Sequence, residues 1–186
     1  MKAMILAAGF GKRLLPVTET IPKPLLRVGN KTLIERNIKL LIENGFTEII
    51  INVSHLADLI KEHVEEVFPE ENIFFSFEDK PLGTGGGILK ALPTLGDECF
   101  LVMNADIFHE IKLNSLPDYT DAAHLIGVPN PNHNIDGDFS LSNNLIKTNL
   151  KSNDLTWSGV SIINPVIFKE NVFESDSFNM WDTVLL

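Results

Sequence analysis

The amino-acid sequence predicts an α/β fold, a mainly parallel sheet flanked by helices, and three observations predict it. Short apolar runs rich in β-branched residues alternate with apolar stripes at helical spacing through the first half of the chain. Glycine-rich turns and an Asn-Ala-Asp segment follow those runs, where the strands of such a sheet end. The 186 residues, 44% apolar and 22% charged, are enough for one hydrophobic core and exclude disordered, collagen-like and coiled-coil chains.

The elements follow in order. Met1 to Leu6 reads as a buried strand that stops at Gly9-Phe10-Gly11, a tight turn that glycine permits. After a loop containing Pro16, Pro22 and Pro24, Thr32 and Glu35 have the spacing of a capping box. Ile34, Ile38, Leu41 and Ile42 then mark one face of a helix, closed by Gly45. Glu48 to Val53 is a second strand, Leu56 to Val67 a second helical stripe, and Asn72 to Phe77 a third strand. Gly83 to Gly87 is expected to be a turn that enters a short helix, Ile88 to Leu92, ahead of the strand Phe100 to Met103. Strand–helix alternation of this kind implies right-handed crossovers.

Beyond about Leu116 the helical period fades. The strand-like pieces His124 to Val128, Phe139 to Leu141 and Thr156 to Ile163 alternate with Asn, Asp and Gly turns. The expectation is one domain, 1–186, with a nucleotide-sized anion site in residues 1–116 and a β-rich lobe, 117–186, over the ligand edge of the sheet. No repeat or linker divides it.

Fifteen Lys and Arg against 25 Asp and Glu give a formal net charge of −10, the wrong balance for a general nucleic-acid binder. A small anion needs only a local basic patch and remains compatible with that charge. The lone Cys99 excludes an internal disulfide and a cysteine-based metal cluster, and its apolar setting makes it a core thiol. No segment approaches a membrane span and the N-terminus lacks a signal-peptide pattern, so a cytoplasmic location without membrane partners is expected. Nothing in the sequence sets the oligomeric state. The five histidines show no i, i+4 pairing, His63 continues an apolar helical stripe as a boundary residue, and no Gly-x-Ser-x-Gly elbow is present. Trp157 and Trp181 read as packing residues.

Three constellations could carry chemistry. In Ala8-Gly9-Phe10-Gly11-Lys12-Arg13, followed by Pro22-Lys23-Pro24, glycines let backbone N–H groups face an anion while three cations gather in an acidic chain. The proline neighbours stiffen the chain around Lys23 and reduce the entropy cost of holding its long side chain. Leu14 replaces the third glycine of a dinucleotide fingerprint and no Gly-Lys-Ser/Thr follows, so neither motif is complete. Asp106, at the end of an apolar strand, could hold Mg²⁺ against phosphate oxygens or could simply close the strand. Gly83 to Gly87 could let a flat base approach or could be a plain helix entry.

Together, Leu6 to Arg13, Pro22-Lys23-Pro24-Leu25, Leu82 to Gly87 and Asn104-Ala105-Asp106 resemble the nucleoside-diphosphate-sugar pyrophosphorylases, a nucleotidyltransferase family. Gly137-Asp138-Phe139 and Trp157-Ser158-Gly159 extend the resemblance toward the branch that uridylylates N-acetylmuramate 1-phosphate in cell-wall recycling. The resemblance implies a Rossmann-like sheet with a sugar-binding lobe, and transfer of a nucleotidyl group from UTP to a sugar 1-phosphate with release of pyrophosphate. It also implies roles. Ala8, Gly9, Gly11, Lys12, Arg13, Lys23, Gly85 and Asn104 would bind the nucleotide; Arg13, Lys23 and Asp106 would be catalytic, with Asp106 on Mg²⁺; Gly137, Asp138 and Ser158 would face the sugar phosphate. The family's second metal-binding aspartate, in a Trp-x-Asp-x-Gly-like segment, has no counterpart, and Phe178 to Leu186 is expected to be the helix before it. Guanylyl or cytidylyl transfer to mannose 1-phosphate or phosphocholine, and a catalytically silent nucleotide-sugar-binding module, are the alternatives. A glycosyltransferase would want two carboxylates where Asn104-Ala105-Asp106 offers one.

Overall fold

The structure is a computed structural model that describes residues 1–148, 152–171 and 173–180. The strands are β1 (Ala3–Leu6), β2 (Arg27–Val28), β3 (Lys31–Thr32), β4 (Ile49–Val53), β5 (Ile73–Phe77), β6 (Phe100–Asn104), β7 (Ala123–Pro129), β8 (Ser140–Ser142), β9 (Leu145–Lys147) and β10 (Leu155–Ile163). The helices are α1 (Leu33–Glu43), α2 (Ala57–Val67), α3 (Gly83–Leu95) and α4 (Val166–Lys169).

Six strands form one sheet in the order β5-β4-β1-β6-β10-β7. β5, β4, β1 and β6 pair in parallel, and β10 runs antiparallel to both of its neighbours. β1 is central because it is short, uncharged and apolar on both faces. Ala3 and Ile5 point into a core with Ile34, Ile38 and Leu41 of α1 and Ile60 and Val64 of α2. Met4 points the other way, into a core with Ile88, Ala91 and Leu95 of α3 and Phe168 of α4. The period-2 alternation of one strand thus separates the two helix layers.

α1 begins as its sequence requires. The Thr32 hydroxyl accepts from the Glu35 N–H at 3.2 Å, and Glu35 Oε1 accepts from the Thr32 N–H at 3.3 Å. His63 reaches the same carboxylate at 2.9 Å, which makes it the satisfied boundary residue expected of it. Burial would raise the Glu35 pKa, but hydrogen bonds from the Thr32 backbone and then His63 outweigh it and hold the carboxyl below its ordinary value. Cys99 is buried in the α1/α2-side core. Trp157 packs against the other core, its indole N–H donating to Val160 O and Ser161 Oγ where β10 bulges against β7.

Two expectations change. The segment Gly83 to Gly87 is not a turn before a short helix but the start of α3, which runs 13 residues to Leu95. Phe178 and Asn179 are not helical; Met180 is, and Trp181 and Asp182 lie outside the described residues. The β-rich second half extends the main sheet through β7 and β10, with only the β8–β9 hairpin apart from it. Among the described residues no helix is long and apolar enough to cross a membrane.

Candidate active site

The chain leaves β1 toward β4 and β5 on one side and returns to β6 on the other, so the carboxyl ends of β1 and β6 form a switch point, where open α/β sheets bind ligands. A cavity of about 360 Å³ lies there. Its walls are the β1 loop from Ala7 through Leu14, Lys23 and Pro24, Asn52 at the end of β4, Pro81 to Thr84 at the entry of α3, and Asn104 to Asp106.

The β1 loop is held from behind. Gly11 sits at φ 64°, and a Cβ there would come within 2.9 Å of Thr18 Cγ2. Thr18, fully buried, donates its hydroxyl to Gly11 O at 3.0 Å, while its own carbonyl accepts from His55 Nε2 at 2.8 Å. The His55 ring stacks on Phe10 with centroids 4.0 Å apart. Lys12 and Arg13 are consequently displayed on a fixed, exposed turn. Lys23 reaches across from its own short turn and pairs through Nζ with Asp106 Oδ2. Asn37 of α1 supports the Asp106 turn from below, donating to Ala105 O at 3.1 Å and Asn104 O at 3.4 Å.

Of the residues expected from sequence, Ala8, Gly9, Gly11, Lys12, Arg13, Lys23, Asn104 and Asp106 meet in this cavity. Gly85 does not. Its N–H donates to Phe178 O at 3.1 Å beneath the Phe178 ring, a close approach that leaves no room for a Cβ. Gly137, Asp138 and Ser158 also lie outside it. Gly137 occupies a left-handed turn, at φ 63°. Asp138 accepts from Trp157 N at 2.8 Å and Asn134 Nδ2 at 2.9 Å. Ser158 Oγ accepts from Val160 N at 3.2 Å. These three residues shape the turns of the second half in this structure. Gly159 packs against the site, so tightly that a Cβ would stand 2.9 Å from Asn104 Nδ2.

Sequence reasoning passed over a buried polar chain that joins the cavity's walls. Asn52 Oδ1 accepts from Ala7 N at 2.9 Å, Asn52 Nδ2 donates to Glu78 Oε1 at 2.7 Å, and Glu78 Oε2 accepts from Leu82 N at 2.8 Å. Both side chains are buried. An asparagine in the otherwise apolar run Ile49-Ile50-Ile51-Asn52-Val53 was the available signal, because a buried amide must find partners.

A single carboxylate at a strand end, beside a basic loop, suits a divalent ion whose remaining ligands come from substrate phosphates. Among the described residues no group of three or more His, Cys, Asp or Glu makes a cage of protein ligands alone.

The family model for nucleotidyl transferases matches residues 2–127. The chain belongs to that family. This nucleotidyltransferase is 42% identical over 180 residues to the N-acetylmuramate alpha-1-phosphate uridylyltransferase of Neisseria meningitidis serogroup B, covering 90% of this chain and 77% of that one. It is 37% identical over 116 residues to the D-glycero-alpha-D-manno-heptose 1-phosphate guanylyltransferase of Campylobacter jejuni, covering 62% of this chain and 52% of that one. Among solved structures, HddC from Yersinia pseudotuberculosis complexed with GMP-PN superposes with a TM-score of 0.79 at 26% identity, over 96% of this chain and 82% of that one. Both of these curated relatives are named for a sugar 1-phosphate substrate.

Proposed function

We propose that the enzyme is a uridylyltransferase that joins UTP to N-acetylmuramate 1-phosphate, in the cytoplasm, as a step of peptidoglycan recycling. One observation carries this reading: the likeness to the uridylyltransferase runs over 90% of the chain and so into the second half, whereas the likeness to the guanylyltransferase covers 62%.

An oxygen of the sugar phosphate attacks the α-phosphorus of UTP in line, the α–β bridging bond breaks, and its electrons leave with pyrophosphate. No covalent enzyme intermediate is needed, so the protein's task is to position the reactants and neutralise charge. The loop from Gly9 to Arg13, with the Gly11 amide and Lys12, wraps the phosphates, while Ala8 and Gly9 face the base through their backbone. Arg13 balances the departing pyrophosphate, Lys23 holds the α-phosphate, and Asn104 lies beside the nucleotide at the mouth of β6. Asp106 would hold Mg²⁺, which when bound supplies charge neutralisation at the phosphate oxygens. Lys23 and Asp106 satisfy each other in this structure, which keeps both side chains at the crevice.

The base is the open choice, because guanylyltransferases are also relatives. Pyrophosphate release measured with UTP, GTP and CTP, each crossed with N-acetylmuramate 1-phosphate and mannose 1-phosphate, decides it. Turnover confined to UTP with N-acetylmuramate 1-phosphate is expected; turnover with GTP and mannose 1-phosphate alone overturns the reading. Nucleotide binding without pyrophosphate release on any pair would make the chain a silent module.

A further inference from the structure

A second cavity, of about 290 Å³, is bounded by the β2–β3 turn, α1 and the loop after β6. Asn30, Lys31, Arg36, Asn37, Lys39 and His109 contribute to its lining. Three cations against one lining carboxylate, Glu43, leave a local excess of two positive charges in a chain whose net charge is −10. That excess is not neutralised nearby. Lys39 makes only a long, exposed pair with Glu43, at 3.5 Å, and Lys31 has no carboxylate partner among the described residues. Glu35, whose charge acts on Lys31, is engaged by Thr32 and His63.

Lys31 and Lys39 line the same cavity. The neighbouring Lys39 ammonium lowers the Lys31 pKa. Two ammonium groups held together are unfavourable unless an anion sits between them. Arg36 forms a fixed wall, its guanidinium donating twice to Val28 O, at 3.1 and 2.5 Å, and lying 5.4 Å over the Phe108 ring. His109 Nε2 is closed off from solvent, so the first contacts belong to the lysines and Asn30.

We propose that this cavity is a second anion site, separate from the reaction crevice, for a small phosphate-bearing molecule whose charge matches the local excess. Phosphate and pyrophosphate, free or attached to a nucleoside, share the chemistry the site selects. The occupant rests against Asn37, whose amide fixes the carbonyls of Asn104 and Ala105 just ahead of Asp106. The site does not depend on which base or sugar the enzyme uses.

The test is an amide-resolved NMR titration of the whole chain with inorganic phosphate, inorganic pyrophosphate and UDP in turn. Saturable shifts are expected at Asn30, Lys31, Lys39 and His109, with an affinity of their own, besides those at Gly9 to Arg13. Tighter binding of UDP than of pyrophosphate identifies a nucleotide site, and the reverse an inorganic one. In Lys31→Gln/Lys39→Gln the shifts around α1 should need about tenfold more ligand or vanish, with those of the β1 loop unchanged. The melting temperature and the pyrophosphate release without added anion should stay at wild-type values. Lys31→Gln alone should give a smaller weakening and covers the case of a double variant that folds poorly. No saturable shift around α1 with any of the three probes, or the same affinity in both variants, overturns the proposal.

Discussion

Lys23 and Asp106 are half-buried partners across the crevice, and an ion pair with that much solvent contact contributes at most about 1 kcal/mol to stability. Lys23→Ala is therefore expected to melt close to the wild type. Removal of a positive group from the transferring phosphate should cost about 2–4 kcal/mol of transition-state stabilisation, roughly 10²–10³-fold in turnover. Pyrophosphate release alongside a thermal melt checks both halves, and near-normal turnover refutes the role. Asp106→Asn should keep the fold and lose the Mg²⁺ dependence of nucleotide affinity; unchanged affinity in excess Mg²⁺ would make Asp106 a turn residue. His109 gives a pH signature. Burial lowers its pKa from the ordinary 6.5, and its Nδ1 accepts from Ile111 N at 3.1 Å. Below about pH 6.5 the unfolded chain binds a proton there that the folded chain resists, so stability falls as pH drops below that value and is regained above it. His109→Asn should flatten this part of the profile, measured by urea unfolding between pH 5 and 8, and an identical slope in the variant contradicts the assignment.

At the scale of elements, α3 separates what was legible from what was not. α1 could be read in advance because its cap and apolar stripe are local, carried by Thr32, Glu35 and Ile34 to Ile42. The opening of α3 could not. Gly85, Gly86 and Gly87 lower local helix propensity by nearly 1 kcal/mol each against alanine, and their reason for being there lies far along the chain. Gly85 and Gly86 donate to Phe178 O, and Gly87 faces the Asn52–Glu78 hydrogen bond, where a Cβ would stand 2.7 Å from each partner. The cation loop and Asp106 were visible because short motifs and strand ends carry them. Asn52 and Glu78 were hidden because their meaning depends on three strand ends meeting. Gly87→Ala, stabilising in an exposed helix, should here destabilise by about 1–3 kcal/mol through the broken buried pair. Chemical denaturation measures it, and a stabilised variant would show that the Asn52–Glu78 pair can move aside without cost.

Across the molecule, residues 1–116 and 117–186 share one sheet, because β10 pairs with β6 through Val160 to Ile163 and buries those residues. We infer that the halves do not fold apart: far- and near-UV circular dichroism should report one coincident unfolding transition, and a fragment ending at Leu116 should show no cooperative melt. Two separate transitions would instead define two domains. The central place of β1 also sets a timetable. Its partners are residues 49–52 on one side and 101–104 on the other. At about 5–20 residues per second of synthesis, on the order of 10 s pass between the emergence of Leu6 and that of Asn104. For that interval the nascent chain carries an apolar strand with one flank unsealed, so β1 waits longest for its second partner, and mispairing during translation is concentrated there.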